Sequence, residues 1–262
     1  DKLKAYNLPA KEFFVLKTEK GNDLNAWMIK PKYFDPSKKY PVFMFQYSGP
    51  GSQQVANSWI NSNDYWFMML SQQGYIVACV DGRGTGYKGA DFKKVTQLQL
   101  GKYEVEDQID AAKVIGNYSF VDKSRIGIFG WSYGGFMASN CLLKGNEVFK
   151  MAIAVAPVTN WRFYDSIYTE RYMTTPQENA SGYDDNSPIN HVNKLKGKYL
   201  LIHGSGDDNV HVQNTMQMME ALIQSNKQFD SQIYPDNNHG IYGGNTRIQL
   251  YNKMTNFIKE NL

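Results

Sequence analysis

The sequence predicts an α/β fold: a mostly parallel eight-stranded sheet covered by helices on both faces. Two observations carry this. Strand-like runs alternate with helix-like runs over most of the chain, and one strand leads into a glycine-flanked serine followed by a helix-compatible run. The first two strands, 12–18 and 23–29, are joined through Lys20-Gly21-Asn22 and read as a hairpin. Further strands are expected at 40–46, 75–80, 125–129, 151–156, 198–203 and 231–234. Between them Val105, Ile109, Ala112 and Ile115 fall on one helical face, as do Met216, Met219 and Ile223. A last helix, 246–260, carries Leu250, Met254, Phe257 and Ile258 on one side. The segment 174–190, with Pro176, Gly182 and Pro188, is the most loop-like. No repeat, low-complexity tract or linker interrupts the pattern, so residues 1–262 are expected to form one domain.

Composition narrows the function classes. Hydrophobic residues make up 42% and charged residues 20%, which excludes disordered, collagenous and coiled-coil chains. The apolar runs 75–80 and 151–158 fall well short of the ~18 residues a membrane helix needs. A net charge of +3, with Lys and Arg spread along the chain, gives no nucleic-acid footprint. Cys79 and Cys141 lie in apolar runs and read as small buried hydrophobes, not as a disulfide framework.

Gly130-Trp131-Ser132-Tyr133-Gly134 fits G-x-S-x-G and is followed by Gly135. Strand 125–129 runs into it and a helix-compatible run leaves it, the order a nucleophile elbow requires: a tight turn exposes the hydroxyl, and flanking glycines avoid clashes. A serine hydroxyl needs a base to take its proton and a third group to orient that base. In the α/β-hydrolase fold the chain order is serine, then acid, then histidine. Of the four histidines, His191 and His203 precede the acidic cluster, and His211 lies only four residues beyond Asp207. His239, in the loop 235–240 after a strand, is the candidate base. The acid comes from the loop after strand 198–203, where spacing does not separate Asp207 from Asp208. A metal reading of Asp207, Asp208 and His211 has no supporting ligand spacing, so no metal and no cofactor is expected.

Gly84-x-Gly86-x-x-Gly89 formally matches a dinucleotide fingerprint. Asp81 at the strand end would repel a pyrophosphate, and no helix is evident at the glycines, so a loop packed beside the active site is expected instead. Trp161, Tyr164 and Tyr168 are spaced to share one face of a helix.

Taken together, segments 46–53, 81–86, 104–109, 130–135, 154–173, 207–211 and 239–240 resemble the catalytic domain of the prolyl oligopeptidase family of serine peptidases. Trp131 and Tyr133 flanking the serine, with the run Asp207-Asp208-Asn209-Val210-His211, are similar to its dipeptidyl peptidase IV branch. The resemblance implies Ser132 as nucleophile, Asp207 as orienting acid and His239 as base. It implies an oxyanion hole from the Tyr47 hydroxyl and the Tyr133 backbone N–H. A pocket for proline or alanine would be lined by Tyr133, Val158, Trp161, Tyr164, Tyr168 and Val210, with Asn209 binding a substrate carbonyl. The activity implied is release of N-terminal X-Pro or X-Ala dipeptides through an acyl-enzyme. In the family a β-propeller precedes this domain and supplies two glutamates for the substrate amine; nothing in 262 residues matches it, so the chain is expected to be the hydrolase domain of a longer protein. Export and a homodimer through the C-terminal helices are further expectations from the resemblance. An acylaminoacyl-type peptidase or esterase is the alternative activity, and a non-catalytic binding domain a third reading.

Overall fold

The structure, a computed structural model, describes residues 3–58 and 63–262. Its strands are β1 (Glu12–Lys17), β2 (Asp23–Ile29), β3 (Tyr40–Phe45), β4 (Ile76–Asp81), β5 (Val121–Trp131), β6 (Met151–Val155), β7 (Lys198–Gly204) and β8 (Asp230–Tyr234). All eight join one sheet in the order β1-β2-β4-β3-β5-β6-β7-β8. The hairpin β1–β2 and the pair β2–β4 are antiparallel, and every later pairing is parallel. β5 begins four residues before the expected start, where a register shift against β3 lets residues 121–125 extend the strand.

The helices are α1 (Asp64–Gln72), α2 (Ala90–Lys94), α3 (Tyr103–Gly116), α4 (Tyr133–Lys144), α5 (Ser166–Met173), α6 (Ala180–Asp184), α7 (Gln213–Gln224) and α8 (Thr246–Asn261). Parallel strands buried on both faces read as continuous apolar runs whose alternate residues feed opposite cores. In β3, Val42 and Met44 enter one core with α3, α4 and α7, while Phe43 and Phe45 enter the other with α1 and α8. In β7, Leu201 and Leu200 divide the same way. α8 buries Leu250, Met254, Phe257 and Ile258, the face its spacing indicates.

Three expectations need correction. On α7 the buried face is Asn214, Thr215, Met218 and Leu222, whereas Met216 and Ile223 are exposed. Polar partners set that rotation: Asn214 Oδ1 accepts from Thr159 N at 2.9 Å, and Thr215 Oγ1 lies 2.7 Å from His203 Nδ1. The segment 174–190 contains α6 and the start of a 3₁₀ turn at Pro188–Lys194, because Asn179 caps α6 by accepting from Gly182 N and proline at the first position of a helical turn loses no needed donor. A helix does begin at Gly89, the short α2. Its loop closes against the segment after β3 through Gly51 N to Gly84 O at 2.8 Å and Gly86 N to Ser52 O at 2.9 Å. Asp81 is engaged there by the N–H groups of Gln54 and Val55, at 2.9 and 2.8 Å.

Parallel strands end together, so the segments following β3, β5, β6, β7 and β8 meet at one edge of the sheet. Tyr47, Ser132, Val158, Asp207 and His239 all lie on those segments.

Candidate active site

Ser132 sits between the end of β5 and the first residue of α4, with φ 62° and ψ −120°. A non-glycine residue there costs on the order of 1–3 kcal/mol and persists only where its surroundings fix it. Ser132 N donates to Val155 O at 2.8 Å, and Ser132 O accepts from Phe136 N at 3.0 Å. The flanking glycines are steric requirements. A Cβ on Gly130 would overlap the Gly134 carbonyl, and one on Gly134 would stand 2.7 Å from Gln46 O. Gln46 Nε2 also donates to Gly134 O at 2.8 Å, tying the exit of β3 to the start of α4.

Asp207, in the turn after β7, has a fully buried carboxylate. Oδ1 accepts from Asn209 N at 3.0 Å and Val210 N at 2.9 Å, and Oδ2 accepts from His239 Nδ1 at 2.7 Å. His203 Nε2 stands 3.2 Å from the same Oδ2. Burial alone pushes this carboxyl up. The hydrogen bonds from His203 and His239, the His239 charge and the Asn209 N–H outweigh it and hold the group well below the usual carboxylate range. Asp208 is exposed and so is His211. Of the two aspartates, it is Asp207 that carries the bond to His239.

His239 is carried by the loop after β8, which is sewn to the Asp207 loop. Ser205 N donates to Tyr234 O at 2.9 Å and Gly206 N to Asn237 O at 3.0 Å. Trp131 Nε1 donates to the carbonyl of His239 at 3.0 Å, so the residue preceding the serine also anchors the histidine. Ser132 and His239 line one cavity of about 390 Å³, with Tyr47, Trp131 and Asn209. No Ser132–His239 hydrogen bond is formed in this arrangement; such bonds are commonly long until substrate tightens them.

Tyr47 follows β3, and its ring lies 6.1 Å from that of Tyr133. Burial pushes its hydroxyl pKa up against a hydrogen bond with Ser132 that lowers it, so at neutral pH it remains a protonated donor. Tyr133 opens α4, and its N–H therefore has no partner within the helix and points from the positive end of the helix dipole.

The aromatic group assembles differently from its expected single helix. Trp161 lies in a 3₁₀ turn (Trp161–Phe163), Tyr164 is extended, and Asp165 restarts the chain as α5 by accepting from Tyr168 N at 2.8 Å. The rings still meet: Trp161 is 5.4 Å from Tyr133 and 5.9 Å from Tyr168, and Tyr164 meets Tyr168 edge-on at 5.3 Å. Val158 and Val210 are buried in the same cluster. Tyr164 donates to Asn209 Oδ1 at 2.7 Å, fixing that amide at the cavity rim.

Two residues of the site escaped the sequence reading of single motifs. Glu104 is fully buried behind the pocket, accepting from the Tyr133 hydroxyl at 2.6 Å and from Gly101 N at 3.0 Å. His203, set aside because it precedes the acidic cluster, lies against the acid itself. The only signal for Glu104 was its place in a family-like segment; for His203 it was a polar ring in an otherwise apolar strand.

A model of the prolyl oligopeptidase family matches residues 61–262. Probable dipeptidyl-aminopeptidase B of Podospora anserina is 46% identical over 257 residues, covering 97% of this chain and 27% of its own length. Dipeptidyl aminopeptidase B of Saccharomyces cerevisiae is 44% identical over 269 residues, covering 98% of this chain and 32% of its own. The crystal structure of Porphyromonas gingivalis dipeptidyl peptidase 4 superposes with a TM-score of 0.96 at 54% identity, over 100% of this chain and 37% of that one. The chain thus spans between 27% and 37% of the length of these relatives. A strained serine elbow at the edge of a mostly parallel sheet, and a family match over most of the sequence, agree: this chain has the α/β-hydrolase fold and belongs to the prolyl oligopeptidase family of serine peptidases.

Proposed function

We propose that this chain is the hydrolase portion of a serine dipeptidyl peptidase that releases X-Pro or X-Ala dipeptides from peptide N-termini through an acyl-enzyme on Ser132. One observation supports this above the others: the 2.7 Å bond from His239 Nδ1 to Asp207 Oδ2 leaves Nε2 free in a residue that lines the same cavity as Ser132. His239 Nε2 takes the Ser132 proton as Oγ attacks the scissile carbonyl. The oxyanion is held by the Tyr47 hydroxyl and the Tyr133 N–H, each such donor being worth roughly 2.7–4 kcal/mol in the transition state. His239 then returns the proton to the leaving amine, and water, activated by the same imidazole, hydrolyses the ester. Asp207 stays ionised throughout and stabilises the imidazolium. The box of Tyr133, Val158, Trp161, Tyr164, Tyr168 and Val210 suits a pyrrolidine ring, which buries apolar area and asks for no polar partner, and Asn209 receives a substrate carbonyl. In this reading the chain is one hydrolase domain, the substrate amine is held by a β-propeller in the parent protein, and the exposed Met216, Ile223 and Ile248 on α7 and α8 belong to a homodimer face.

The test is intact-mass analysis after treatment with a fluorophosphonate. One adduct is expected on the wild type and none on Ser132→Ala, and in the full-length protein Ser132→Ala abolishes dipeptide release. An adduct on both proteins, or on neither, would overturn the assignment of Ser132. A full-length enzyme that prefers N-acetylated peptides to free amines would overturn the dipeptidyl reading alone.

A further inference from the structure

His203 is the second histidine of the site. It lies on β7, fully buried, four residues before Asp207. Its Nε2 is 2.7 Å from the carbonyl of Val210, and its Nδ1 is 2.7 Å from Thr215 Oγ1 on α7. A carbonyl only accepts, so Nε2 carries a proton. That N–H stands between two acceptors, Val210 O and Asp207 Oδ2, the latter at 3.2 Å. In the uncharged ring Nδ1 accepts from the Thr215 hydroxyl. Both ring nitrogens of this buried side chain are thus satisfied.

We infer that His203 is a positioning residue for the acid–base pair, an imidazole whose Nε2–H holds the Val210 pocket wall and the Asp207 carboxylate in register. The inference rests on the proposed roles of Ser132 and His239. Asp207 Oδ2 takes the His239 Nδ1–H at 2.7 Å and lies 3.2 Å from His203 Nε2, so both imidazoles bear on one carboxylate oxygen. By drawing on the carboxylate's charge, His203 weakens the hold of Asp207 on the His239 imidazolium. It also fixes the turn geometrically, because Val210 gives its N–H to Asp207 Oδ1 and its carbonyl to His203. Acid and pocket wall therefore move together. The titratable groups facing His203 are Asp207 from the turn after its own strand and His239 from the loop after β8, with Tyr164 further out across Asn209. α7 presents only the uncharged Asn214 and Thr215.

The experiment compares fluorophosphonate labelling rates from pH 5 to 9 in wild type, His203→Leu, His203→Gln and Ser132→Ala, with ¹⁵N NMR of the imidazoles in wild type. Leucine removes the donor at similar volume; glutamine keeps an N–H of similar reach. Without the donor, Asp207 holds the imidazolium more tightly, so the acid limb of His203→Leu is expected to move up by about half a pH unit or more. Its plateau rate is expected to fall about tenfold, and His203→Gln to recover most of both. NMR is expected to show a proton on His203 Nε2. A His203 whose Nε2 carries no proton, a leucine variant with the wild-type profile, or leucine and glutamine variants that lose rate equally with no shift of the limb would each overturn the inference. Equal labelling of wild type and Ser132→Ala would overturn the reading of Ser132, and this inference with it, while the tautomer of His203 would still stand as measured.

Discussion

Glu104 shows how much chemistry a single side chain can hide behind a pocket. Its Oε1 serves both the Tyr133 hydroxyl and Gly101 N, while Oε2 is buried with no hydrogen-bond partner among the described residues. Burial raises its pKa from 4.5 to about 7, against the lowering effect of the Tyr133 and Gly101 bonds. The sign follows from linkage. The folded protein holds this proton more tightly than the unfolded chain, so the favourable contribution is complete below pH 4.5 and is lost as pH rises through about 7. Over that window wild-type stability should fall on this group's account by an amount on the order of 3 kcal/mol. Glu104→Gln keeps an acceptor for Tyr133 and cannot ionise, so the difference in Tm, variant minus wild type, should grow more positive between pH 5 and pH 8. Equal slopes of Tm with pH in the two proteins would refute it. At this scale the sequence was readable where chemistry restricts the residue type. Ser132 was proposed from its glycines and His239 from chain order. Glu104 and His203 were not, because a buried acid and a buried histidine have no spacing rule; their partners, Tyr133 and Asp207, are brought to them by other strands.

Elements were legible to the extent that one periodicity decided them. The strands buried on both faces announced themselves as apolar runs, and α8 as a single stripe. α7 offered two stripes, Met216-Met219-Ile223 and Thr215-Met218-Leu222, and the choice fell to hydrogen bonds of Asn214 and Thr215 that no pattern displays. The aromatic group failed as a helix for a related reason: Asp165 caps α5 in the middle of the stripe. The elbow is the opposite case, since its glycines are dictated by contact. A Cβ at Gly130 meets the backbone carbonyl of Gly134, whereas Gly21, at φ +85° in the hairpin turn, has open space around it. Gly130→Ala must displace β5 against α4 and should cost about 3 kcal/mol or more. Gly21→Ala meets only the left-handed backbone penalty, about 1 kcal/mol. Urea unfolding of both variants measures the order, and a Gly21 variant as unstable as the Gly130 variant would show that the elbow is not held by this contact.

At the scale of the molecule, site and fold are one construction. The candidate residues ride on segments after β3, β5, β6, β7 and β8, and each of these strands feeds both cores or lies beside one that does. The Asp207 loop is bonded to the His239 loop, and the His239 carbonyl to Trp131 at the end of β5. Removing any one strand would therefore open the site and both cores together. This coupling was not visible in the sequence, which yields strands without their order; only the crossover that places β4 between β2 and β3, and β3 beside β5, brings Tyr47 to Ser132. The consequence is cooperative loss. Fluorophosphonate labelling of Ser132, tryptophan fluorescence and far-UV circular dichroism, followed through one urea titration, should share a single midpoint and slope. The tryptophans make this a discriminating set, because Trp27 and Trp66 report the core of α1 and α8 while Trp161 reports the opposite core. Labelling that vanishes at clearly lower urea than either spectroscopic signal would mean that the loops carrying Asp207 and His239 open as a separate unit. In that case the hydrogen bonds between those loops, and not the sheet beneath them, would set the stability of the site.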